Sequence, residues 1–326
     1  MTSTNWELYK ENIIKLHEKG YNSTQILESL YLIYPTIEFP NSAGRTIRKI
    51  ISKHKANNLQ KQFYKTDNHT AKILLLDIET APMVAYLWSK WQNGISDDFI
   101  ISDWFVLSWA AKWLFEEEVL SDRLTVEELS QKDDRRIMES IWNLLEQADV
   151  IIAHNLHKFD EKKLKTRFLK HNLKTPSPYQ TIDTLLHLRK QFGITSNKLD
   201  YVAKNFLGIE GKMETPKGLW QRCMEGDYEA LELMDEYCQQ DVRVLEEVYL
   251  RIRGWIKPHP NLALFAISED NTCPACGGSE NEITLTEYYT YVNTYQAHRC
   301  TDCNHIFRSR KASTSNGKTL KVSLPK

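Results

Sequence analysis

The chain has 326 residues, of which 41% are hydrophobic, and a formal net charge of −1. The length indicates two or three domains, and the composition is sufficient for a packed core. Because no apolar run approaches the ~20 residues that cross a bilayer, and no signal-peptide pattern begins the sequence, we expect a cytoplasmic protein without membrane contact.

Charge is distributed unevenly along the chain. Residues 1–66 carry a net charge of +5 and residues 271–326 a net charge of +3, which leaves −9 for the centre. Basic flanks can provide the attraction to a phosphate backbone that an acidic centre cannot. The alternative interpretation is that both flanks are well-solvated small domains.

Residues 1–56 are predicted to form a helical unit. Its helices cover residues 6–19, a stretch opened by the N-cap residue Asn22, and residues 43–54. Three basic residues lie near the start of the last helix, namely Arg45, Arg48 and Lys49. The order resembles a helix-turn-helix with an unusually long last connection, so nucleic-acid binding competes with a docked helical cap as the interpretation. Residues 57–70 are polar and are predicted to be a linker.

The segment Ile73–Thr80 combines a buried strand with two acidic side chains. Ile73–Leu76 is wholly apolar, and Asp77 and Glu79 follow it. Residues two apart on a strand point the same way, so the two carboxylates face one spot. Buried acids repel each other unless a cation joins them, and the segment therefore predicts a divalent metal site.

A long aromatic connection, residues 81–104, follows this acidic segment. Its large aromatic side chains are Tyr86, Trp88, Trp91, Phe99 and Trp104. They are placed to stack on bases. Large aromatic side chains usually pack against a sheet, however, and packing is the favoured interpretation for any single tryptophan.

The rest of the centre alternates strands and helices. Strands are predicted at 105–113, 118–121, 150–153 and 179–182, and helices at 133–147, 160–170, 184–190, 198–206 and 228–253. A three-strand meander followed by alternating helices and strands gives an α/β sheet with helices on both faces.

Two further acids belong to this pattern. Asp160 opens a helix after an apolar strand and a turn that contains Asn155. Asp241 lies within the apolar stripe of the helix 228–253, four residues after Tyr237, so both residues face the core. An aspartate in a buried helix face is expected of a metal ligand.

Four cysteines near the end of the chain form two C-x-x-C pairs. Cys273 and Cys276 are separated from Cys300 and Cys303 by 23 residues, and strands are predicted at 284–292 and 294–299. Residues 271–311 therefore resemble a zinc ribbon with one structural Zn²⁺, and a redox pair is the alternative. This pattern argues against a disulfide framework. Residues 312–326 are predicted to be a flexible tail.

Three segments resemble the motifs of the DEDD exonucleases, the DnaQ-like, RNase H-fold group, in its tyrosine subclass. They are Asp77-Ile-Glu79, Asn155-Leu-His-Lys-Phe-Asp160 and Tyr237-Cys-Gln-Gln-Asp241. The second is most similar to proofreading domains of family B DNA polymerases and to YprB-type ribonuclease H-like proteins. The resemblance implies an exonuclease domain at 71–256, a mixed five-stranded sheet flanked by helices, between the helical domain and the zinc ribbon.

The resemblance also implies roles for these residues in a two-metal phosphodiester hydrolase. Asp77 would bridge two Mg²⁺ or Mn²⁺ ions, Glu79 and Asp241 would complete the ion that activates water, and Asp160 would hold the second ion. Tyr237 would orient the attacking water. The candidate substrate contacts are Thr80, Asn155, Arg45, Arg48 and Lys49.

The implied function is 3′→5′ hydrolysis of single-stranded nucleic-acid ends, with DNA favoured over RNA. Because no polymerase domain follows, a self-standing nuclease is expected; replication or repair proteins are candidate partners that the sequence does not identify. An RNA-processing or structure-selective nuclease on the same fold is the second interpretation. A catalytically inactive nucleic-acid-binding protein is the third, and the intact set of four acids and Tyr237 argues against it.

Overall fold

The computed structural model describes residues 6–37, 39–40, 42–63, 71–265, 272–279, 281–284, 286–290 and 293–313. The chain divides into two compact units, one made of residues 1–65 and 115–117 and the other of residues 66–114 and 118–326. Within the described ranges, no helix combines the length and the apolar character that a membrane crossing requires.

Three α-helices build the described part of the first unit: α1 (Lys10–Glu18), α2 (Ser23–Ile33) and α3 (Ala43–Phe63). Asn22 caps α2 as predicted, because its side chain accepts the backbone N–H groups of the second and third helical residues. Apolar side chains of all three helices share one core, which includes Ile13, Ile26, Leu30, Ile47 and Ile51.

The third helix is longer than the sequence pattern indicated. It continues to Phe63, so residues 57–63, expected to be linker, are helical. No glycine or proline interrupts this stretch, and Gln and Lys have a favourable helix propensity. Residues 64–70 lie outside the described residues. The helix-turn-helix interpretation stays a prediction.

A mixed five-stranded sheet with the strand order β5–β4–β1–β6–β7 is the centre of the second unit. The strands between residues 73 and 183 are β1 (Ile73–Thr80), β2 (Val84–Ala85), β3 (Ile100–Ser102), β4 (Val106–Trp113), β5 (Leu120–Arg123), β6 (Val150–Ala153) and β7 (Gln180–Asp183). Antiparallel pairing joins β1 to β4 and β4 to β5, whereas β6 and β7 run parallel to β1. The predicted RNase H-like sheet topology is confirmed.

Helices cover the sheet. They are α4 (Val126–Gln131), α5 (Arg135–Leu145), α6 (Asp160–Lys170), α7 (Thr184–Gln191), α8 (Leu199–Tyr201), α9 (Leu219–Met224) and α10 (Tyr228–Ile252). A π-helical turn, Val202–Leu207, extends α8. The sequence interpretation missed the short helices α4 and α9, although the capping box of Thr125 and Glu128 marks the start of α4. The longest helix, α10, packs across β4 and β1.

The C-terminal module is a small antiparallel unit. Its strands are β8 (Asn281–Ile283), β9 (Tyr288–Tyr289), β10 (Thr294–Tyr295), β11 (Ala297–Cys300) and β12 (Ile306–Arg308). The prediction of one continuous strand over 284–292 is wrong for its described residues, of which only Tyr288 and Tyr289 are in a strand; the Thr284 hydroxyl donates to the Thr286 carbonyl at 2.7 Å. Ser313, predicted to lie in the tail, donates its N–H to the Thr294 carbonyl at 2.8 Å, and residues 314–326 lie outside the described residues.

Candidate metal centre

Three carboxylates converge at the end of β1. Each of Asp77, Glu79 and Asp241 offers an oxygen, and these oxygens all lie within 4.8 Å of one another. Alternation along β1 places Asp77 and Glu79 on one face, and α10 crosses that face with Asp241. The parallel pairing of β1 with β6 ends at Leu75. The acids therefore lie beyond this parallel pairing, near the carboxyl ends of β1 and β6, which is the usual place of a ligand site in α/β sheets.

Asp160 lies beside this cluster. It is the first residue of α6 and is 1% exposed. Its carboxylate accepts a hydrogen bond from the backbone N–H of Ile78, the residue between the two acids of β1, and interacts electrostatically with Asp77. Among the described residues, the Oδ1 atoms of Asp160 and Asp241 have no hydrogen-bond partner. Buried carboxylate oxygens without partners are costly, so this donor set fits divalent cations.

Without metal ions, burial and mutual repulsion make ionisation of these carboxyl groups unfavourable. Burial and then the charge of Asp241 raise the pKa of Asp77 to about 7. Burial and the neighbouring charge of Asp77 raise the pKa values of Glu79 and Asp160 well above the usual range for carboxyl groups. Burial also raises the pKa of Asp241, against the opposing effect of Lys212. Each shift reflects a cost of ionisation that a bound cation would remove.

Lys212 is a component of the site that the sequence interpretation missed. Its ammonium group forms a salt bridge with Asp241 and donates to the hydroxyl of Tyr237 at 3.2 Å. Burial lowers the pKa of Lys212, but the charges of Asp241 and Asp77 outweigh burial and raise that pKa overall. The backbone N–H of Lys212 is anchored on Asp200 at 2.7 Å. The residue lies in an irregular segment between the π-helical turn and α9, where no periodicity indicates its direction.

Tyr237 lies one turn before Asp241 on α10. Its ring packs edge-on against Trp220, with centroids 6.2 Å apart. Burial raises the pKa of the Tyr237 hydroxyl to about 12. The hydroxyl therefore stays protonated near neutral pH and acts as a hydrogen-bonding group rather than as a base.

The thiol of Cys238 touches the first acid. Its Sγ lies 3.3 Å from the backbone oxygen of Asp77 and 3.6 Å from the carboxylate. Burial raises the pKa of Cys238 well above its usual range, so the sulfur remains a protonated, weak donor. The contact joins α10 to β1 immediately beside the cluster.

The turn that carries Asn155 is held by Asp183. Asn155 has a backbone φ of 76°, a left-handed conformation that asparagine tolerates better than most residues. The buried carboxylate of Asp183 accepts the backbone N–H groups of Asn155 at 3.0 Å and His157 at 3.2 Å. It also caps α7. Thus Asp183 orients the connection from β6 to Asp160, and all of its described partners are structural.

His154 is structural as well. Its ring nitrogens lie 2.9 Å from the Thr184 hydroxyl and 2.9 Å from the Asn197 carbonyl. Burial lowers the pKa of His154 to about 4, so the ring is neutral near neutral pH. The other candidate substrate contacts are spread over the chain: Thr80 is half-buried after an irregularity at the end of β1, and the three basic candidates lie on α3.

A second acidic group, Asp133, Asp134 and His171, has similar spacing but a different environment. The buried carboxylate of Asp134 accepts hydrogen bonds from Arg167, Nε at 2.7 Å and Nη2 at 2.6 Å. It also bonds to His171 at 2.5 Å and to the backbone N–H of Val106 at 2.9 Å. These partners occupy the carboxylate, so the group is a buried ion-pair network.

The four cysteines of the C-terminal module also converge. They are buried, unpaired by disulfides, and their sulfur atoms all lie within 4.8 Å of one another. The Sγ atoms of Cys273 and Cys303 are 3.6 Å apart, and those of Cys276 and Cys300 are 3.5 Å apart. Sulfur atoms ~2.3 Å from a tetrahedral zinc ion are about 3.8 Å apart, so the cluster fits Zn²⁺ closely.

Backbone donors support this sulfur cluster. The N–H of Ala275 points at the Cys273 sulfur and that of Gly278 at the Cys276 sulfur, both at 3.4 Å. A Cβ on Gly278 would lie 2.2 Å from the Asp302 carboxylate and 3.3 Å from the Cys276 sulfur, so a side chain there would require the Asp302 side chain to move.

Comparison with known proteins agrees with this geometry. Residues 118–253 match a family model described as the RNase H superfamily, RNase_H_2, and this range includes Asp160, Tyr237 and Asp241. A solved structure, the family B DNA polymerase from the hyperthermophilic archaeon Pyrobaculum calidifontis, is similar with a TM-score of 0.41 and 17% identity. The similarity covers 56% of this chain and 25% of the polymerase. No curated protein matches the sequence. The chain thus contains an RNase H-like domain.

Proposed function

We propose that the RNase H-like domain of this chain is a metal-dependent 3′→5′ exonuclease that acts on single-stranded nucleic-acid ends, with DNA favoured over RNA. The observation that carries this proposal is the convergence of Asp77, Glu79 and Asp241, with Asp160 beside them, at the end of β1. Four converging acids, of which Asp160 and Asp241 are buried and Asp77 and Glu79 half-buried, need cations, and oxygen ligands favour Mg²⁺ or Mn²⁺ over Zn²⁺.

The four acids would hold two such ions. When bound, the ions supply a nucleophilic water and stabilise the leaving oxygen of a phosphodiester. Asp77, central to the electrostatic interactions of the cluster, is the best candidate for a carboxylate shared by both ions. The Cys238 thiol, 3.6 Å from the Asp77 carboxylate, is proposed to restrict its orientation.

Tyr237 and Lys212 complete the site. The protonated Tyr237 hydroxyl, beside Asp241, is suited to orient the attacking water by a hydrogen bond. Lys212 donates a hydrogen bond to this hydroxyl at 3.2 Å, and its positive charge is proposed to attract the reacting phosphate. Both groups act by position and charge, which are the main contributions in phosphoryl chemistry.

Further residues are proposed to contact the substrate or to bind a structural metal ion. Asn155 and Thr80 are proposed to contact the terminal nucleotide, because the turn and the strand end that carry them adjoin Asp160 and Glu79. The basic residues of α3, Arg45, Arg48 and Lys49, are proposed to attract phosphates. The cysteine cluster is proposed to bind one structural Zn²⁺.

One assay tests both the direction of degradation and the preference for DNA or RNA. End-labelled oligonucleotides of DNA and RNA, single- and double-stranded, are incubated with the protein in Mg²⁺, Mn²⁺ or EDTA. A 3′→5′ exonuclease converts a 3′-label at once into a mononucleotide and shortens a 5′-labelled strand step by step. We expect this pattern with single-stranded DNA and no reaction in EDTA. Internal cleavage, 5′→3′ degradation or preferential degradation of RNA would contradict the corresponding part of the proposal.

A further inference from the structure

The connection between β1 and β4 forms an arm of its own, residues 82–103, which we call the aromatic arm. Strands β2 and β3 pair to form its base, and the N–H of Tyr86 donates to the carbonyl of Phe99 at 2.9 Å. The N–H of Ala81 donates to the carbonyl of Phe105 at 2.8 Å, directly after the strand that carries the catalytic acids. The base of the arm therefore adjoins the candidate metal centre.

Two tryptophans of the aromatic arm are almost fully exposed. Trp88 is 83% exposed and Trp91 is 85% exposed. Trp104, just beyond the arm, is packed instead: the Lys163 ammonium lies 3.5 Å from its ring centroid, and the ring adjoins the main core. The expectation that each tryptophan packs against the sheet is thus confirmed for Trp104 and wrong for Trp88 and Trp91.

The segment around the exposed rings has a defined conformation. The N–H of Trp88 donates to the side chain of Gln92 at 3.1 Å, and the Gln92 amide donates to the carbonyl of Gly94 at 3.0 Å. The Trp88 and Phe99 rings are nearly perpendicular, with centroids 6.0 Å apart, and Trp88 remains 83% exposed. The neighbouring Tyr86 and Leu87 are also exposed, by 69% and 56%, and large exposed apolar patches mark interaction sites.

The charge of the arm limits what can bind there. Residues 81–104 contain Lys90 as the one basic residue and Asp97, Asp98 and Asp103 as acidic residues, which gives a net charge of −2. An arm of this charge does not attract phosphates, whereas an indole can stack on any base irrespective of charge. Because Trp88 is eight residues beyond Thr80, it lies within about 27 Å of the end of β1 even along a fully extended chain.

We propose that Trp88 and Trp91 stack on unpaired bases of the nucleic-acid strand whose end lies at the metal centre. This inference rests on the proposed exonuclease function and names what selects the single strand. Bases of a duplex are stacked and paired, so their faces are not accessible to the indoles. The arm thus binds bases, while charged groups elsewhere in the chain attract phosphates.

The test measures dissociation constants for a single-stranded oligonucleotide in EDTA, so that no hydrolysis is required. One oligonucleotide is intact, and the other has a run of abasic residues near its 3′ end. The variant Trp88→Leu/Trp91→Leu is compared with the parent and with Trp255→Leu, a control at another tryptophan that is 61% exposed. Stacking is worth about 1–3 kcal/mol per base, so we expect the double variant to bind the intact strand at least about fivefold more weakly.

The abasic strand distinguishes stacking from other roles. The parent should bind the abasic strand more weakly than the intact strand. The double variant should bind the abasic strand about as weakly as the parent does, because no base is left to stack on. The variant Trp88→Phe/Trp91→Phe should retain much of the affinity, and the salt dependence of binding should be unchanged, since no phosphate contact is removed. Parent-like binding of the intact strand by the leucine variant would overturn the inference. An equal loss on both strands would also overturn it and would indicate a protein-binding or structural role. Absence of cleavage by the parent, with the stacking pattern present, would refute only the exonuclease function.

Discussion

Lys212 and Asp241 form a salt bridge within the candidate metal centre, where a negatively charged carboxylate would otherwise be buried without a cationic partner. Asp241 is 1% exposed, and the side chain of Lys212 is 28% exposed. The ammonium group thus supplies positive charge to the cluster in the absence of divalent ions. Lys212 and a divalent ion would interact with the same carboxylate. We therefore expect the Lys212–Asp241 salt bridge to affect the affinity of the site for the ion, and the ion to affect the strength of the salt bridge.

Replacing Lys212 should therefore destabilise the metal-free protein. Lys212→Met leaves Asp241 buried beside the like charges of Asp77 and Glu79, with the Tyr237 hydroxyl as a hydrogen-bond donor, at an expected cost of about 1–3 kcal/mol. Saturating Mn²⁺ should remove most of this difference, because the ion replaces the lost charge. Thermal unfolding with EDTA and with Mn²⁺ measures both values. The control is Lys204→Met, which removes an exposed pair with Asp200 at 3.0 Å and should change little. Equal unfolding of Lys212→Met and the parent in EDTA would contradict this account.

Replacing Asp77 should have the opposite effect on the metal-free protein. Asp77→Asn removes a buried charge that repels Glu79 and Asp160, so the melting temperature in EDTA should rise, by about 2–4 °C per kcal/mol of repulsion relieved. The stabilisation by Mn²⁺ should be lost. Asp133→Asn, at an exposed acid outside the cluster, is the matched control. A lower melting temperature for Asp77→Asn in EDTA would show that the acids do not repel one another.

The same variant gives a prediction for pH. The pKa of Asp77 is about 7 in the folded state and 3.8 as the reference for the unfolded state. A carboxyl group whose pKa is higher in the folded than in the unfolded state favours folding while it is protonated. This contribution to stability is fully present below about pH 3.8 and is lost as the pH rises through 7. In EDTA, the melting temperature of the parent should therefore fall relative to that of Asp77→Asn between about pH 4 and pH 8. Parallel pH profiles for the two proteins would contradict the assignment.

The cysteine cluster should contain one zinc ion per chain. Metal analysis of protein purified without chelator should find it, and Cys273→Ser/Cys276→Ser should abolish it, because two thiolates do not complete a tetrahedral site. Cys223→Ser, at a buried cysteine outside the cluster, should retain zinc. Zinc-free parent protein would refute the assignment.

The basic residues of α3 should contribute through phosphates. The triple variant Arg45→Ala/Arg48→Ala/Lys49→Ala is expected to weaken binding to single-stranded ends and to lower the slope of the logarithm of affinity against the logarithm of salt concentration, by about 0.7 per lost contact. Turnover at saturating substrate should change little. Unchanged affinity across the salt titration would indicate that this helical unit is a docked cap or a protein-binding element instead.

Much of the fold follows from the sequence because its signals are local. The strand Val150–Ala153 and the helix Asp160–Lys170 have the predicted bounds, since an apolar run and an acidic helix start determine them. The convergence of Asp77, Glu79 and Asp241 was also predictable, because alternation along a strand and an aspartate in an apolar helix stripe both indicate buried charge.

The remaining features depend on tertiary structure. Lys212 lies in an irregular segment, and its direction is determined by the anchor on Asp200 and by the attraction of Asp241, which no periodic pattern records. The acids Asp133 and Asp134 resemble a second metal site until the Arg167 guanidinium is seen on Asp134. The exposure of Trp88 and Trp91 likewise contradicts the general preference of tryptophan for packing.

The central claim is that the acids of β1 and α10 are the metal ligands of a nuclease. The most direct measurement is single-turnover degradation of a 5′-labelled single-stranded DNA in Mn²⁺ by the parent, Asp77→Asn and Asp133→Asn, with folding verified by circular dichroism. We predict stepwise shortening by the parent and by Asp133→Asn, and a loss of at least about a thousandfold in rate for Asp77→Asn, comparable with the loss of one major electrostatic contribution to catalysis. Degradation by folded Asp77→Asn at the rate of the parent would contradict the claim.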